Sequence, residues 1–149
     1  MSVWKPSATV AAVVEREGRF LLVEERIDGR LVLNQPAGHL DPGESLVAAC
    51  RREVLEETAH RFEPTALVGI YRWHYAPKDV TFLRFCFSGR LEGAEERPLD
   101  RQIVAVHWLT REELIARRRD HRSPLVQRCV DDYLAGRRFP LDVFSADYA

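Results

Sequence analysis

The sequence predicts an α+β or layered α/β domain with a mixed β-sheet. Six or seven segments are rich in apolar, aromatic and β-branched residues, as strands are, and one central and two late segments have the composition of helices. Strands and helices alternate too rarely for a doubly wound parallel sheet. Because 149 residues is the length of one ordinary domain, we expect a single domain over residues 1–149.

The first part of the chain predicts three strands and a loop. Apolar strands over residues 9–16 and 20–25 flank a Glu-Gly turn, which predicts a hairpin. A short apolar run over 31–33 ends before Pro36, because proline lacks a backbone N–H donor. From Pro36 to Gly43 we expect a loop.

The middle of the chain predicts one helix and two long strands. Residues 45–58 contain no glycine or proline and are rich in alanine, leucine, arginine and glutamate, which favours a helix. We expect the Glu63-Pro64 pair to end the connection that follows this helix. Two alternating segments with aromatic and β-branched residues, 66–75 and 80–91, then predict a strand pair joined by a short loop.

The last third of the chain predicts a loop, a strand and two helices. Residues 92–101 are charged and indicate an exposed loop, and residues 103–109 are typical of a strand. The sequence Thr-Arg-Glu-Glu over 110–113 predicts a capping box, which begins a helix that ends near residue 119. A serine-proline pair and a glycine bound the last helix, over 123–136.

Charge and apolar patterning argue against several kinds of partner. The 22 Lys and Arg residues nearly balance the 23 Asp and Glu residues, so the chain lacks the strong positive field that nucleic-acid binding needs. Its apolar runs are far shorter than the roughly 20 residues that cross a bilayer, so we expect no membrane partner. The first residues have no signal-peptide pattern, which favours a cytoplasmic protein. Three widely spaced cysteines predict buried free thiols: Cys50, Cys86 and Cys129.

The predicted central helix carries glutamates on its apolar side. At about 100° per residue, Glu53 and Glu57 share the azimuth of the apolar residues Leu46 and Cys50, and Glu56 lies beside them. Carboxylates three and four residues apart repel one another unless a cation answers their charge. Hard divalent ions prefer such carboxylates, so the pattern indicates a metal site. The alternative is a solvated acidic helix whose glutamates pair with neighbouring arginines.

A glycine and a glutamate precede this acidic cluster at fixed spacing. From Gly38 the chain continues with five residues, Glu44, seven residues, and then Arg-Glu-Val-Leu-Glu-Glu over 52–57. This pattern resembles the signature of the Nudix hydrolases, in which a glycine, five residues, a glutamate and seven residues precede Arg-Glu-aliphatic-x-Glu-Glu-x-Gly-aliphatic. Ala59 and His60 replace the last glycine and aliphatic residue, which predicts a different path after the helix but leaves the carboxylates unchanged.

The resemblance extends over most of residues 7–142. It implies the family's mixed-sheet α/β/α sandwich, in which the signature forms a loop, a helix and a loop. Three further segments are similar to the NudJ-type phosphatases within the family: Asn-Gln-Pro-Ala-Gly-His over 34–39, Phe-Leu-Arg-Phe over 82–85 and Arg-Ser-Pro-Leu-Val over 122–126.

The resemblance also implies an activity. The family consists of Mg²⁺-dependent hydrolases, with Mn²⁺ as a substitute, that cleave a diphosphate linked to an organic group. NudJ-type members release phosphate from nucleoside di- and triphosphates, thiamine diphosphate and the diphosphate of a thiamine pyrimidine precursor. We therefore expect the substrate to be a small organic diphosphate.

Metal-binding residues are implied by the same resemblance. Glu53, Glu56 and Glu57 would hold metal ions that bridge phosphate oxygens and activate a water molecule. Gly38 would offer a backbone carbonyl to the metal at a point where a side chain would obstruct the approach.

Two supporting roles are implied in addition. Arg52 is expected to pair with Glu44 and so fix the signature loop to the helix. The general base stays open among four carboxylates: Glu53, Glu95, Glu96 and Asp100.

Residues outside the acidic cluster are candidates for substrate binding. Trp73 and Tyr75 could stack on a heterocycle, although strand aromatics also serve as core or cross-strand pairs. Arg84 stands between apolar neighbours and could bind a phosphate or point into water. His39 in the signature loop could contact phosphate or be solvated.

Two other functions remain as alternatives. A Nudix-like domain could sense a nucleotide without cleaving it, but such a module has little need for three mutually repelling glutamates. A Nudix pyrophosphatase with another substrate, such as ADP-ribose, would need them. A monomer and a homodimer are both compatible with the sequence.

Overall fold

The computed structural model describes residues 2–145, which contain eight strands and three α-helices. The strands are β1 (Ser7–Val13), β2 (Glu15–Arg16), β3 (Arg19–Ile27), β4 (Arg30–Asn34), β5 (Ala37–His39), β6 (His60–Tyr75), β7 (Val80–Ala94) and β8 (Ile103–Leu109). The helices are α1 (Leu46–Thr58), α2 (Arg111–Ala116) and α3 (Leu125–Leu134).

The strands form two four-stranded sheets. The first sheet has the order β5-β1-β7-β6, in which β1 and β7 are parallel and the other pairs are antiparallel. In the second sheet β3 pairs with β2, β4 and β8, all antiparallel. The predicted mixed pairing is therefore confirmed.

Helices cover both faces of the first sheet. Successive residues of β1 point to opposite faces, so Val10 packs in one core with Val54 of α1, and Ala11 packs in another core with Val130 of α3. This layering confirms the α/β/α sandwich.

The predicted hairpin over residues 9–16 and 20–25 is wrong in most of its length. Only Glu15 and Arg16 pair with β3, whereas β1 lies in the other sheet between β5 and β7. Burial gives the reason, because Val10 to Val13 are each at most 1% exposed, as in a strand covered on both faces.

Two boundaries predicted from proline also differ from the structure. The loop expected over 36–43 contains β5, which pairs with β1, and Pro36 contributes its carbonyl to the N–H of Ala12 at 3.0 Å. Strand β6 runs through Pro64 rather than starting after it. A proline is tolerated there because β6 is an edge strand with a register shift next to Pro64.

The predicted central helix is confirmed, and its exit corrects one expectation. The Ser45 hydroxyl accepts a hydrogen bond from the N–H of Ala48 at 3.0 Å and so caps the N-terminus. At the other end Ala59 has φ +61°, and its N–H donates to the Leu55 carbonyl. Ala59 therefore takes the left-handed exit that a glycine would favour, instead of a different path.

The later helices follow the sequence prediction with shorter bounds. The capping box of Thr110 and Glu113 is present, but α2 ends at Ala116, before the predicted end near residue 119. A 3₁₀ turn over Arg118–Asp120 follows. Helix α3 begins at Leu125, and Gly136 has φ +86° just after its end.

The cysteines and the helix lengths agree with the composition. All three cysteines are buried free thiols, as predicted. Between residues 2 and 145, no helix combines the length and hydropathy that crossing a membrane requires.

Candidate functional site

A cleft of about 470 Å³ opens where the first sheet, α1, the β3–β4 pair and the segment before α3 meet. Its lining joins residues from distant parts of the sequence: Thr9, Glu25, Ile27, Asn34, Ala37, Gly38, His39, Asp41, Glu53, Glu57, Trp73, Phe82, Arg84, Asp100, Gln102, Arg122, Ser123 and Leu125. One part of the wall is acidic, and another carries aromatic rings and arginines.

Three carboxylates converge at the acidic part of the site. Oxygen atoms of Glu53, Glu56 and Asp100 lie within 4.8 Å of one another. The backbone N–H of Asp100 donates to the Glu56 carbonyl at 3.0 Å, which ties the segment before β8 to α1. Such a set of hard oxygen donors could hold a divalent cation. The sequence raised Asp100 only as a candidate base, since nothing in local spacing links it to α1.

Glu53 is almost enclosed, at 8% exposure. Burial is the main cause that raises the pKa of its carboxyl to about 7, with Arg52 opposing the rise and the charges of Glu56 and Asp100 adding to it. A β-carbon on Gly38 would overlap the Glu53 carboxyl, so only glycine lets β5 pass this close to the helix.

Glu57 is buried beside this cluster but points to β5. It is 2% exposed, and its Oε1 accepts a hydrogen bond from the N–H of Ala37 at 2.8 Å. Burial, together with the negative charges of Glu25 and Glu53, raises the pKa of Glu57 to about 9. The inward position that the helical wheel predicts for Glu53 and Glu57 is confirmed.

Arg52 joins the signature loop to the acidic cluster. Its Nε and Nη2 donate to the two carboxylate oxygens of Glu44 at 3.0 and 2.7 Å, so the expected contact is present. Its Nη1 donates to Glu53 at 2.8 Å, and its Nη2 also donates to the His39 carbonyl at 2.9 Å. This pairing raises the pKa of Arg52 and lowers that of Glu44. The guanidinium thus offsets part of the repulsion among the glutamates.

Arg84 lies in the cleft wall and does not point into bulk water, because it is only 6% exposed. It donates to Asn34 Oδ1 at 2.7 Å and to Gln35 Oε1 at 2.9 Å, and Cys129 Sγ is 3.8 Å from its Nη1. Within the described residues no carboxylate lies within 4.0 Å of its guanidinium. A buried cation without an ion-pair partner is suited to bind an anion.

The aromatic residues form a row along β6 and β7. Trp73 stacks on Phe82 with ring centroids 5.7 Å apart and on Tyr75 at 5.3 Å. Trp73 and Phe82 line the cleft together with His39, whose ring centroid is 6.4 Å from that of Phe82. Tyr75 is not among the residues that line the cleft, and it stacks on Trp73, which is.

The loop carboxylates proposed as bases separate into two groups. Asp100 lies in the site, whereas Glu95 is exposed and pairs with Arg61 at 3.5 Å, and Glu96 is exposed. The structure also reveals an ion pair that the sequence did not indicate, between the buried Glu25 and the partly exposed Arg122 at 3.2 Å in the cleft wall. The local signal for this pair was Glu25, a charged residue at an inward position of β3.

Comparisons with known proteins agree with this geometry. Residues 4–129 match the NUDIX domain family. Phosphatase NudJ of Escherichia coli strain K12 is 42% identical over 142 residues, which cover 95% of this chain and 92% of the relative. Phosphatase NudJ of Shigella boydii has the same identity and coverage. A solved structure of a NUDIX hydrolase from Nitrosomonas europaea is 51% identical, covers 95% of this chain and 97% of its own, and superposes with a TM-score of 0.93.

Proposed function

The chain belongs to the NUDIX hydrolase family and is an enzyme that hydrolyses phosphoric anhydrides, and from this premise we propose that it is a Mg²⁺-dependent phosphatase that releases orthophosphate from small organic diphosphates. The proposed substrates are nucleoside di- and triphosphates, thiamine diphosphate and the diphosphate of its pyrimidine precursor. The observation that carries the proposal is the convergence of Glu53, Glu56 and Asp100 in the cleft that also holds the buried Arg84.

The donor set fits a hard divalent ion. Glu53, Glu56 and Asp100 would supply carboxylate oxygens, and Gly38 a backbone carbonyl, to Mg²⁺ or, as a substitute, Mn²⁺. Glu57 lies next to Glu53 and would serve as a ligand of a further metal ion. Three carboxylates this close repel one another, so the site favours a bound cation electrostatically. When bound, the ion supplies charge neutralisation at the phosphate and a water of lowered pKa.

The protein groups have separable roles in this proposal. Arg52 positions Glu44, Glu53 and the His39 carbonyl and is itself no reactant. The general base is Glu53 or Asp100, because Glu95 and Glu96 lie on the exposed loop away from the cleft.

The substrate's other groups would contact the far wall. Arg84 would bind an anionic oxygen, since its buried guanidinium hydrogen-bonds the amide oxygens of Asn34 and Gln35 and makes no ion pair within residues 2–145. A heterocycle would stack on Trp73 and Phe82, with Tyr75 supporting Trp73 from behind and His39 closing the edge.

We also propose a cytoplasmic protein that acts as one domain and as a monomer or homodimer. The short apolar runs support a protein outside the membrane, and the chain length supports one domain.

Phosphate release from a substrate panel tests the proposed function. The panel contains thiamine diphosphate, nucleoside di- and triphosphates and ADP-ribose, each with Mg²⁺ or with EDTA, and orthophosphate and pyrophosphate are measured separately. Glu56→Gln is the test variant and the exposed Glu112→Gln is its matched control. The proposal expects Mg²⁺-dependent orthophosphate that is lost only in Glu56→Gln. Pyrophosphatase activity on ADP-ribose alone, or tight binding without turnover, would contradict it.

A further inference from the structure

Asn34 and Arg84 form a buried polar pair in the cleft wall, outside the acidic cluster. Asn34 is 7% exposed and Arg84 is 6% exposed, and both line the cleft. They come from different sheets, since Asn34 ends β4 and Arg84 lies in the middle of β7. Their contact, 2.7 Å from Arg84 Nη2 to Asn34 Oδ1, therefore spans the two halves of the fold.

The chemistry of arginine fixes which way the Asn34 amide faces. A guanidinium only donates hydrogen bonds, so the Asn34 oxygen must face Arg84 and the amide nitrogen must face away from it. Gln35 is held in the same way, but its Nε2 also donates to the Val126 carbonyl at 2.7 Å. Asn34 Nδ2, by contrast, donates to no atom of residues 2–145. The pair therefore offers the two N–H donors of the Asn34 amide to a ligand.

These donors suit a ligand that accepts hydrogen bonds. The Asn34 amide nitrogen has no partner within residues 2–145, and it is not sealed from solvent, since Ser88 Oγ is the one buried side-chain polar atom without a partner in that part of the chain. Arg84 makes no ion pair in the same residues, although its charge acts on Glu25 and helps to lower the pKa of the Cys129 thiol. A ligand group rich in acceptor atoms would pair with the donors of both side chains.

We propose that Asn34 and Arg84 form a subsite of hydrogen-bond donors that binds acceptor atoms of the substrate, so that Asn34 determines specificity. The inference rests on the proposed function, because it concerns the same cleft and the same organic diphosphates. The acceptor atoms are phosphate oxygens or the carbonyl oxygens of a ring stacked on Trp73. In the second case a keto pyrimidine binds better than its amino counterpart, since an amino group would face the amide N–H groups of Asn34.

The substitution Asn34→Asp separates recognition from support. An aspartate has the shape of asparagine and accepts from Arg84 at least as well, so a purely structural role would be kept or strengthened. It lacks the amide donors and neutralises Arg84, so a recognition role would be lost. The matched control is Lys5→Gln, which makes the same change in net charge at an exposed position.

Steady-state kinetics with UDP, CDP and inorganic tripolyphosphate give the test. We expect Asn34→Asp to raise KM by about 10-fold while kcat stays within about 2-fold, because the metal site is untouched. An equal rise for all three compounds assigns the subsite to phosphate oxygens. A rise for UDP with no change or a fall for CDP assigns it to the ring. Unchanged or lower KM for all three, with a higher Tm, would overturn the proposal.

A binding measurement keeps this test independent of turnover. If the wild-type protein hydrolyses none of the three compounds, the proposed function fails, and calorimetric titration of UDP and tripolyphosphate into both proteins still tests the subsite. Binding weakened about 10-fold in Asn34→Asp supports it, and equal binding contradicts it. Asn34→Ser, which keeps an acceptor hydroxyl and removes the amide donors, replaces Asn34→Asp if that variant does not fold, with the same expected loss.

Discussion

Arg52 donates hydrogen bonds to both carboxylate oxygens of Glu44, at 2.7 and 3.0 Å, and its third nitrogen donates to Glu53 at 2.8 Å. One guanidinium thus fixes the loop before α1 and one of the three clustered carboxylates at the same time. The planar guanidinium can donate in several directions at once, so a single side chain holds Glu44 of the loop and Glu53 of α1 in place.

Replacing Arg52 with lysine should therefore reduce catalysis without unfolding the protein. A lysine ammonium is a point charge that cannot bridge Glu44 and Glu53 together, so we expect kcat to fall by about 10- to 100-fold. The neighbouring Arg51→Lys is the matched control, because Arg51 pairs with Glu63 on the exposed side of the helix. Equal kcat values for the two variants would show that the Arg52 bridge is dispensable.

Gly38→Ala should damage the metal site sterically. The added β-carbon would overlap the Glu53 carboxyl and force either β5 or the carboxylate to move. We expect the Mg²⁺ concentration for half-maximal activity to rise by about 10-fold or more. Gly136→Ala is the control, because it is strained by φ +86° but has no described atom within 4 Å of the new carbon. It should lower Tm and leave the Mg²⁺ dependence unchanged.

The stability of the metal-free protein should fall as pH rises. In the folded protein the pKa values of Glu53 and Glu57 are raised to about 7 and about 9, so protonation favours the folded state. This contribution is complete below the unfolded pKa near 4.5 and is lost as pH increases through 7 and 9. We expect Tm in EDTA to drop between pH 5 and 9 by about 10 °C or more through these groups.

Glu57→Gln isolates the larger part of that pH effect. A glutamine keeps an acceptor for the Ala37 N–H but cannot ionise, so its Tm should depend less on pH than that of the wild type. Added Mg²⁺ should raise the wild-type Tm more at pH 8 than at pH 6, since metal and proton compete for the same carboxylates. Parallel Tm curves for the two proteins in EDTA would contradict this interpretation.

Glu24 should have the opposite effect on stability, because its contribution is lost as the pH falls. Hydrogen bonds from His107 at 3.0 Å and from Arg117 at 3.1 Å lower the pKa of this half-buried carboxyl. Its stabilising effect is therefore present above pH 4.5 and lost as pH falls through the lowered value. Urea unfolding of Glu24→Gln should show a loss of about 1 kcal/mol at pH 7 and a smaller loss at pH 3. A loss of equal size at both pH values would assign it to packing.

Local sequence was sufficient for the acidic helix but not for the complete site. The positions of Glu53 and Glu57 follow from helical periodicity, since both recur on the side of Val54 and Cys50. Asp100 enters the cluster through a hydrogen bond between its own N–H and the Glu56 carbonyl. That contact depends on the path of the loop before β8, which has no periodic signal.

The errors in the strand predictions have a similar origin. Residues 9–16 and 20–25 are adjacent in sequence, and a local turn favours pairing them, yet β1 gains more by lying between β5 and β7 with both faces covered. Pro64 marks a strand end in isolation but is harmless on an edge strand. Local sequence therefore predicted where the strands lie better than it predicted which strands pair.

Asp100→Asn provides the most direct test of the metal site, because this residue joins the cluster only in the folded chain. Mg²⁺ binding to wild type and Asp100→Asn should be measured by calorimetry at pH 8, alongside Mg²⁺-dependent orthophosphate release. If the three carboxylates hold the catalytic ion, the variant should bind Mg²⁺ about 10-fold or more weakly and lose most of its activity at limiting Mg²⁺. Wild-type affinity and wild-type turnover in Asp100→Asn would contradict a metal site built from Glu53, Glu56 and Asp100.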